Sequence, residues 1–369
     1  MHITELELKD FRNHKYIKLS FDNAPTIIVG PNGIGKTNIL EAIHLLSTTK
    51  SLKATYDREM ISHEEKLTRV ATKVLKASEL ETTEVKEFRY IDLTQQQEDS
   101  AKTRNSWDLE SLELYIVKSD TYANASSKKT TINGVKRSIT NFAGYINTIL
   151  FTPSDISLLT SAPALRRRYL DAIFFQIDKT YKQSVAEYEK AKKQRNKLLE
   201  TIRETGRGYD LIEFWEEKLI KNGQYIQEMR RDFFAHVNNT IEETAVKLSD
   251  NYKKVEIIYD KSEITQERLN KYKHAEIATG RTLVGPHKDD FYITLNDYHS
   301  GNYASRGQQR SMVLALKLCE LEYITGKTNE RPILLLDDVF SELDERHRQA
   351  IENIIWNQQT IITSTDRNL

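Results

Sequence analysis

A lysine and a threonine behind closely spaced glycines, and two adjacent aspartates closing an apolar run, are the residues here whose types and spacing suit chemistry on phosphate. Gly30-Pro31-Asn32-Gly33-Ile34-Gly35-Lys36-Thr37 satisfies GxxxxGK[ST] at every fixed position. In such a loop the glycines let the backbone curl until its N–H groups face phosphate oxygens. Lys36 then reaches the β- and γ-phosphates, and Thr37 offers its hydroxyl to Mg²⁺. Near the other end, Pro332-Ile333-Leu334-Leu335-Leu336-Asp337-Asp338 is apolar until its final two carboxylates. Asp337 would hold Mg²⁺ through water, and Asp338 would orient or deprotonate an attacking water. Together the two segments imply a nucleoside triphosphate bound with Mg²⁺.

These groups need elements to position them. Thr26–Val29 reads as a strand feeding the loop, and Ile39, Ala42, Ile43 and Leu46 recur at helical spacing after it. That helix would turn its positive end toward the phosphates. The run before Asp337 reads as a central parallel strand. Residues 67–75, 88–93 and 112–117 also read as strands, and Asn133-Gly134 suits a tight hairpin. Pro163 opens a helical stretch that Gly206-Arg207-Gly208 breaks into an antiparallel pair, and residues 255–259 return to strand. The expected division is a discontinuous head of residues 1–163 and 253–369, with a helical arm over 164–252.

About thirty residues before the acidic strand stands Ala304-Ser305-Arg306-Gly307-Gln308-Gln309-Arg310, with Met312, Ala315, Leu316, Cys319 and Leu321 on the helix that follows. This segment resembles the signature of ATP-binding cassette ATPases, and Ser341-Glu342-Leu343-Asp344 resembles their D-loop. In that superfamily the signature serine and glycine of one subunit cap the γ-phosphate held by the other. The resemblance therefore implies ATP as the nucleotide and an ATP-dependent homodimer. Phe11-Arg12-Asn13 is similar to the F-R-N turn of the RecF, RecN and SMC group. Three longer stretches resemble the RecF branch of that group: residues 158–171, Arg281-Thr282-Leu283-Val284-Gly285-Pro286-His287-Lys288-Asp289-Asp290, and the signature with its helix.

The resemblance implies an α/β fold: an SMC-like ATP-binding cassette P-loop head with a β-rich lobe and an inserted helical arm, the arm far too short for an SMC coiled coil. By the same resemblance, the nucleotide contacts fall to Arg12, Gly30, Asn32, Gly33, Gly35, Lys36, Thr37, Asn38, Ser305, Gly307 and Gln308. Lys36, Asp337, Asp338 and Ser305 would serve catalysis, and Thr37 and Asp337 the metal. The implied function is ATP-driven dimerisation on DNA, duplex or gapped, with slow DNA-stimulated hydrolysis. It extends to replication, repair and the SOS response, with RecO and RecR as partners in loading RecA at single-strand gaps. One departure bears on rate: the histidine of transporter cassettes is missing, and Thr363 takes the likeliest position, so hydrolysis should be weak.

Composition bounds the rest. The 369 residues are 38% hydrophobic and 29% charged, an ordinary soluble balance, and no apolar run is long enough to span a membrane. A cytoplasmic protein is expected. Cys319 is the one cysteine and reads as buried filler on an apolar helical face. The 54 basic residues match 54 acidic ones, so any DNA footprint must be local. Lys190, Lys192, Lys193, Arg195 and Lys197 crowd one helix and Arg166, Arg167 and Arg168 another. Apart from the resemblance, a solvated helix face offset by Glu187, Glu189 and Glu200 is the better reading of the first run, and Arg167 can pair with Asp171 one turn on. Two other functions stay open, a nucleotide-switched scaffold with little hydrolysis and a transporter-type ATPase subunit.

Overall fold

The computed structural model describes residues 1–75, 87–94, 109–119, 125–248, 254–342 and 345–366. The polar loop expected around residues 95–105 and the D-loop residues Leu343 and Asp344 lie outside them. By contacts the chain divides into two units, Met1–Asp155 with Glu320–Leu369, and Ile156–Cys319.

The first unit holds two sheets. Strands β1 (His2–Phe11), β2 (His14–Ser20), β4 (Leu67–Leu75), β6 (Glu110–Lys118), β7 (Ser126–Ile132) and β8 (Val135–Arg137) form an antiparallel sheet in the order β2-β1-β4-β6-β7-β8. Alternation sets its faces: Leu6 and Leu8 are buried, while Glu7 and Glu113 both pair with Arg69 across β4 on the other face. Asn133 and Gly134 both take positive φ, the geometry of the tight turn their types favour.

The second sheet is parallel throughout, ordered β5 (Arg89–Asp92), β3 (Thr26–Val29), β14 (Thr360–Ser364), β13 (Ile333–Asp337) and β9 (Thr148–Phe151). Helix Lys36–Thr48 packs against strands of both sheets. Being covered on two sides, it buries Leu40 and Leu45 as well as Ile39, Ala42, Ile43 and Leu46, a wider apolar surface than its single stripe predicts.

The second unit is built on helices Lys179–Thr205 and Ile212–Asn238, broken as expected at Gly206-Arg207-Gly208. Residues 156–163 and 253–319 were expected with the head, yet those described group by contacts with the helices. The reason is physical. Helix Gln266–Thr279 packs on Lys179–Thr205, and the rings of Phe234, Tyr259 and Phe291 join strands β10 (Val255–Asp260) and β11 (Asp290–Leu295) to the helical core. β12 (Tyr298–His299) completes that small antiparallel sheet. No described helix is long and apolar enough to cross a membrane.

Candidate functional site

β3 delivers the chain to Gly30 at the carboxyl edge of the parallel sheet, and the helix begins at Lys36. Between them the backbone reverses through Gly33 at φ +84 and Gly35 at φ +109. Glycine is obligatory at position 35 on two counts. Its φ lies in the left-handed region, and a Cβ there would stand 2.4 Å from His14 Nε2 and 2.6 Å from Asn13 Oδ1. That crowding reflects how the F-R-N turn grips the loop. Asn13 Nδ2 donates to the carbonyls of Gly33 (3.3 Å) and Ile34 (3.0 Å), His14 Nε2 donates to Gly35 O (3.0 Å), and Asn38 Nδ2 donates to Asn13 Oδ1 (2.8 Å). Lys36 Nζ donates to the carbonyls of Gly30 (2.6 Å) and Pro31 (3.1 Å), holding the ammonium over the loop. Asn32 lies exposed on it.

Asp337 closes β13 opposite Thr363 of β14. Two hydroxyls reach its carboxylate: Thr37 Oγ1 shares its one proton between the two oxygens, at 2.7 and 2.9 Å, and Thr363 Oγ1 donates at 2.9 Å. The next residue, Asp338, adopts φ +51, a conformation aspartate tolerates better than most residues. Its amide donates to Thr363 Oγ1 (3.0 Å) and Thr363 O (3.1 Å). Thr363, noted in the sequence only for the histidine it replaces, thus ties both aspartates to the neighbouring strand. The donor set suits Mg²⁺. Thr37 and Asp337 are hard oxygen donors held together at one sheet edge. Mg²⁺ characteristically takes one or two carboxylates and completes its shell with water and phosphate oxygens.

Arg12 also takes positive φ. Its guanidinium is bidentate to Glu41 (Nε 3.0 Å, Nη2 2.7 Å) and donates to Glu59 O (2.8 Å). Sequence reading missed Glu41. The available signal was a lone acid set among Ile39, Leu40, Ala42 and Ile43. Beside the loop opens a cleft of about 900 Å³ lined by Arg12, Asn13, Asn38, Lys53, Arg58 and Lys118, among others. Lys36, Thr37, Asn38, Arg12, Asp337 and Asp338 therefore belong to one local constellation with the glycines.

Ser305, Gly307 and Gln308 lie in the second unit. There Ser305 N–H donates to Gln308 Oε1 (2.8 Å) and Gln308 N–H to Ser305 Oγ (3.3 Å), a reciprocal capping box on helix Arg306–Thr328. A Cβ on Gly307 would meet nothing within 4 Å, so this face of the helix start is open.

The basic clusters resolve unevenly. Arg195 is fully buried: its guanidinium binds Glu216 (2.8 Å), Glu276 (2.6 Å) and Thr282 (3.1 Å), which removes it from any phosphate footprint. Arg166 is buried in a bidentate pair with Asp290. Arg167 donates to Asp289 O (2.8 Å) and is not paired with Asp171, which instead accepts from Tyr181 and Arg230. Arg168, Lys193 and Lys197 are exposed, and Lys192 pairs with Glu189. Lys190, Lys192, Lys193 and Lys197 line one shallow cleft with Gln194, Asn196 and two acids, Glu189 and Glu200.

Residues 285–290, whose role the sequence left open, are an internal anchor. Asp289, 1% exposed, accepts from Gln227, Ser262 N–H, Arg230 and Tyr259. His287 Nε2 donates to Thr282 O and its Nδ1 accepts from Tyr188, and burial pushes its pKa down to about 4. Gly285 at φ +119 passes so close to Tyr188 that a Cβ would lie 2.4 Å from its hydroxyl.

The model of the RecF/RecN/SMC N terminal domain family matches residues 2–369. DNA replication and repair protein RecF of Herpetosiphon aurantiacus is 35% identical over 99% of this chain and 94% of its own length. The protein of the same name from Roseiflexus castenholzii is 34% identical over 99% and 93%. A solved structure of the recombination mediator protein RecF with ATP, in the RecFOR pathway, superposes with a TM-score of 0.82 at 32% identity, covering 100% of this chain and 92% of that one.

Proposed function

From the chain's membership of the RecF/RecN/SMC family, we propose that it is an ATP-dependent DNA-binding ATPase of replication and recombinational repair, two copies of which close around ATP. The observation that carries the reading is the convergence of Lys36, Thr37, Asp337 and Asp338 on the glycine-rich loop at one edge of a parallel sheet. The loop amides and Lys36 would hold the β- and γ-phosphates, and Arg12 lines the adjoining cleft. Thr37 and Asp337 would hold Mg²⁺, whose charge offsets that of the phosphates. Asp338 would position the attacking water and accept its proton.

Ser305 and Gly307 start a 23-residue helix whose first turn is open, the arrangement that accepts an anion from another subunit. The sequence has no counterpart of the transporter histidine, with Thr363 taken at that position, and slow turnover is the reading that follows. Hydrolysis stimulated by DNA, and cooperation with RecO and RecR in loading RecA at single-strand gaps, belong to the same reading.

DNA contact is assigned to the lysine face of helix Lys179–Thr205, now without Arg195. Charge reversal at Lys192, Lys193 and Lys197 should weaken duplex binding by about tenfold or more at physiological salt. It should also cut the slope of log affinity against log salt by up to roughly three, near one per lost phosphate contact. ATP binding should be unaffected. Titration of labelled duplex across a salt series measures both, and an unchanged slope would move the footprint off this helix.

A further inference from the structure

Lys53 approaches the same carboxylate that the proposed reading gives to the metal. Its Nζ lies 3.8 Å from Asp337 Oδ2, and its side chain is 41% exposed while the carboxylate is nearly buried. The backbone beneath it is fixed. Ser51 Oγ accepts from the amides of Lys53 (3.0 Å) and Ala54 (2.9 Å) and donates to Glu41, which the Arg12 guanidinium clamps from the other side. Arg12 and Lys53 line one cleft. A rigid base thus presents a long, half-exposed side chain whose ammonium can rest on Asp337 or swing into the cleft. Thr37 and Thr363 donate to Asp337 from short side chains and stay compatible with a bound cation, but an ammonium at Oδ2 does not, because like charges repel at that range.

Resting on the assignment of Asp337 as a metal-binding residue, we propose that Lys53 is a mobile countercharge of Asp337 that competes with Mg²⁺ for it. It thereby sets the Mg²⁺ concentration at which the nucleotide site fills. The Ser51–Glu41–Arg12 chain gives this competition a route to the F-R-N turn.

The test is Mg²⁺ titration of the binding of a fluorescent ATP analogue to the full chain. Lys53→Met should lower the half-saturating Mg²⁺ about three- to fivefold, the scale of one partly exposed ion pair. Lys53→Arg should keep it within about twofold of the unmodified protein. In an Asp337→Asn background, Lys53→Met should cause no further shift. A thermal melt checks the fold, and Lys53→Gln offers a second neutral side chain if the Met variant melts early. An unchanged or raised Mg²⁺ requirement in Lys53→Met would overturn the proposal. So would weaker analogue binding at saturating Mg²⁺, since Lys53 would then serve the phosphates. Absence of Mg²⁺-dependent binding in the unmodified protein is a separate result that would remove the assignment of Asp337 and this proposal together.

Discussion

Lys36→Met should lower ATP affinity roughly a hundredfold or more and abolish any ATP-dependent dimer, with the fold kept. A charge-assisted hydrogen bond contributes about 1.5–3 kcal/mol, and two of them to phosphate oxygens amount to at least two decades of affinity. Methionine preserves the apolar stem against the loop. The bonds given up in the free protein go to the carbonyls of Gly30 and Pro31, which lie on a partly exposed loop that water can reach. Isothermal titration with ATP, beside a thermal melt, separates the two effects. Tight ATP binding by the variant would remove Lys36 from the site.

Asp338→Asn should slow hydrolysis by about two to four decades while ATP binding and the dimer persist. The structure favours this substitution as a clean one. Asparagine tolerates the left-handed φ of +51 as aspartate does, so the amide bonds to Thr363 should survive. What is lost is the carboxylate proposed as the base for the attacking water. The contrasting variant, Asp337→Asn, removes a charge that two hydroxyls and Lys53 surround, and should weaken Mg²⁺ retention and closure itself. Single-turnover hydrolysis and the lifetime of the ATP-bound dimer on DNA measure the difference. Hydrolysis by Asp338→Asn at the unmodified rate would place the base elsewhere.

Much of the site was legible because its parts are short and contiguous. The loop, its strand and helix, and the acid pair each lie within a few residues, so pattern alone placed Lys36, Thr37 and Asp337 on their elements. Tertiary pairing was not legible in the same way. Arg195 sits in a run of lysines and looked like one of a basic set, but its partners Glu216 and Glu276 are 21 and 81 residues away. One signal was present: Tyr188, Ala191, Arg195, Leu199 and Ile202 recur at helical spacing, so Arg195 belongs to the buried stripe and not to the lysine face. Arg166 follows the same logic beside Leu170 and Ile173. Glu41 and Lys53 were missed for a related reason, since no local pattern marks a side chain whose partner lies on another segment. The unit boundary shifted because buried charge pairs and rings, invisible to periodicity, bind residues 254–319 to the helices.

The central claim, that a signature from one copy meets the triphosphate held by another, is tested most directly by molecular mass in solution with and without ATP. Two signature variants accompany the unmodified chain. Ser305→Arg places a bulky cation at the helix start but also removes its capping box, at a cost of about 1 kcal/mol. Gly307→Asp avoids that cost, because a Cβ there meets nothing and an acid in the first turn favours the helix, yet it sets a negative charge against the incoming phosphate. The unmodified protein should double its mass in ATP, and both variants should remain monomeric while binding ATP with nearly unchanged affinity. Variants that dimerise normally in ATP, or an unmodified chain whose mass ATP leaves unchanged, would contradict the account.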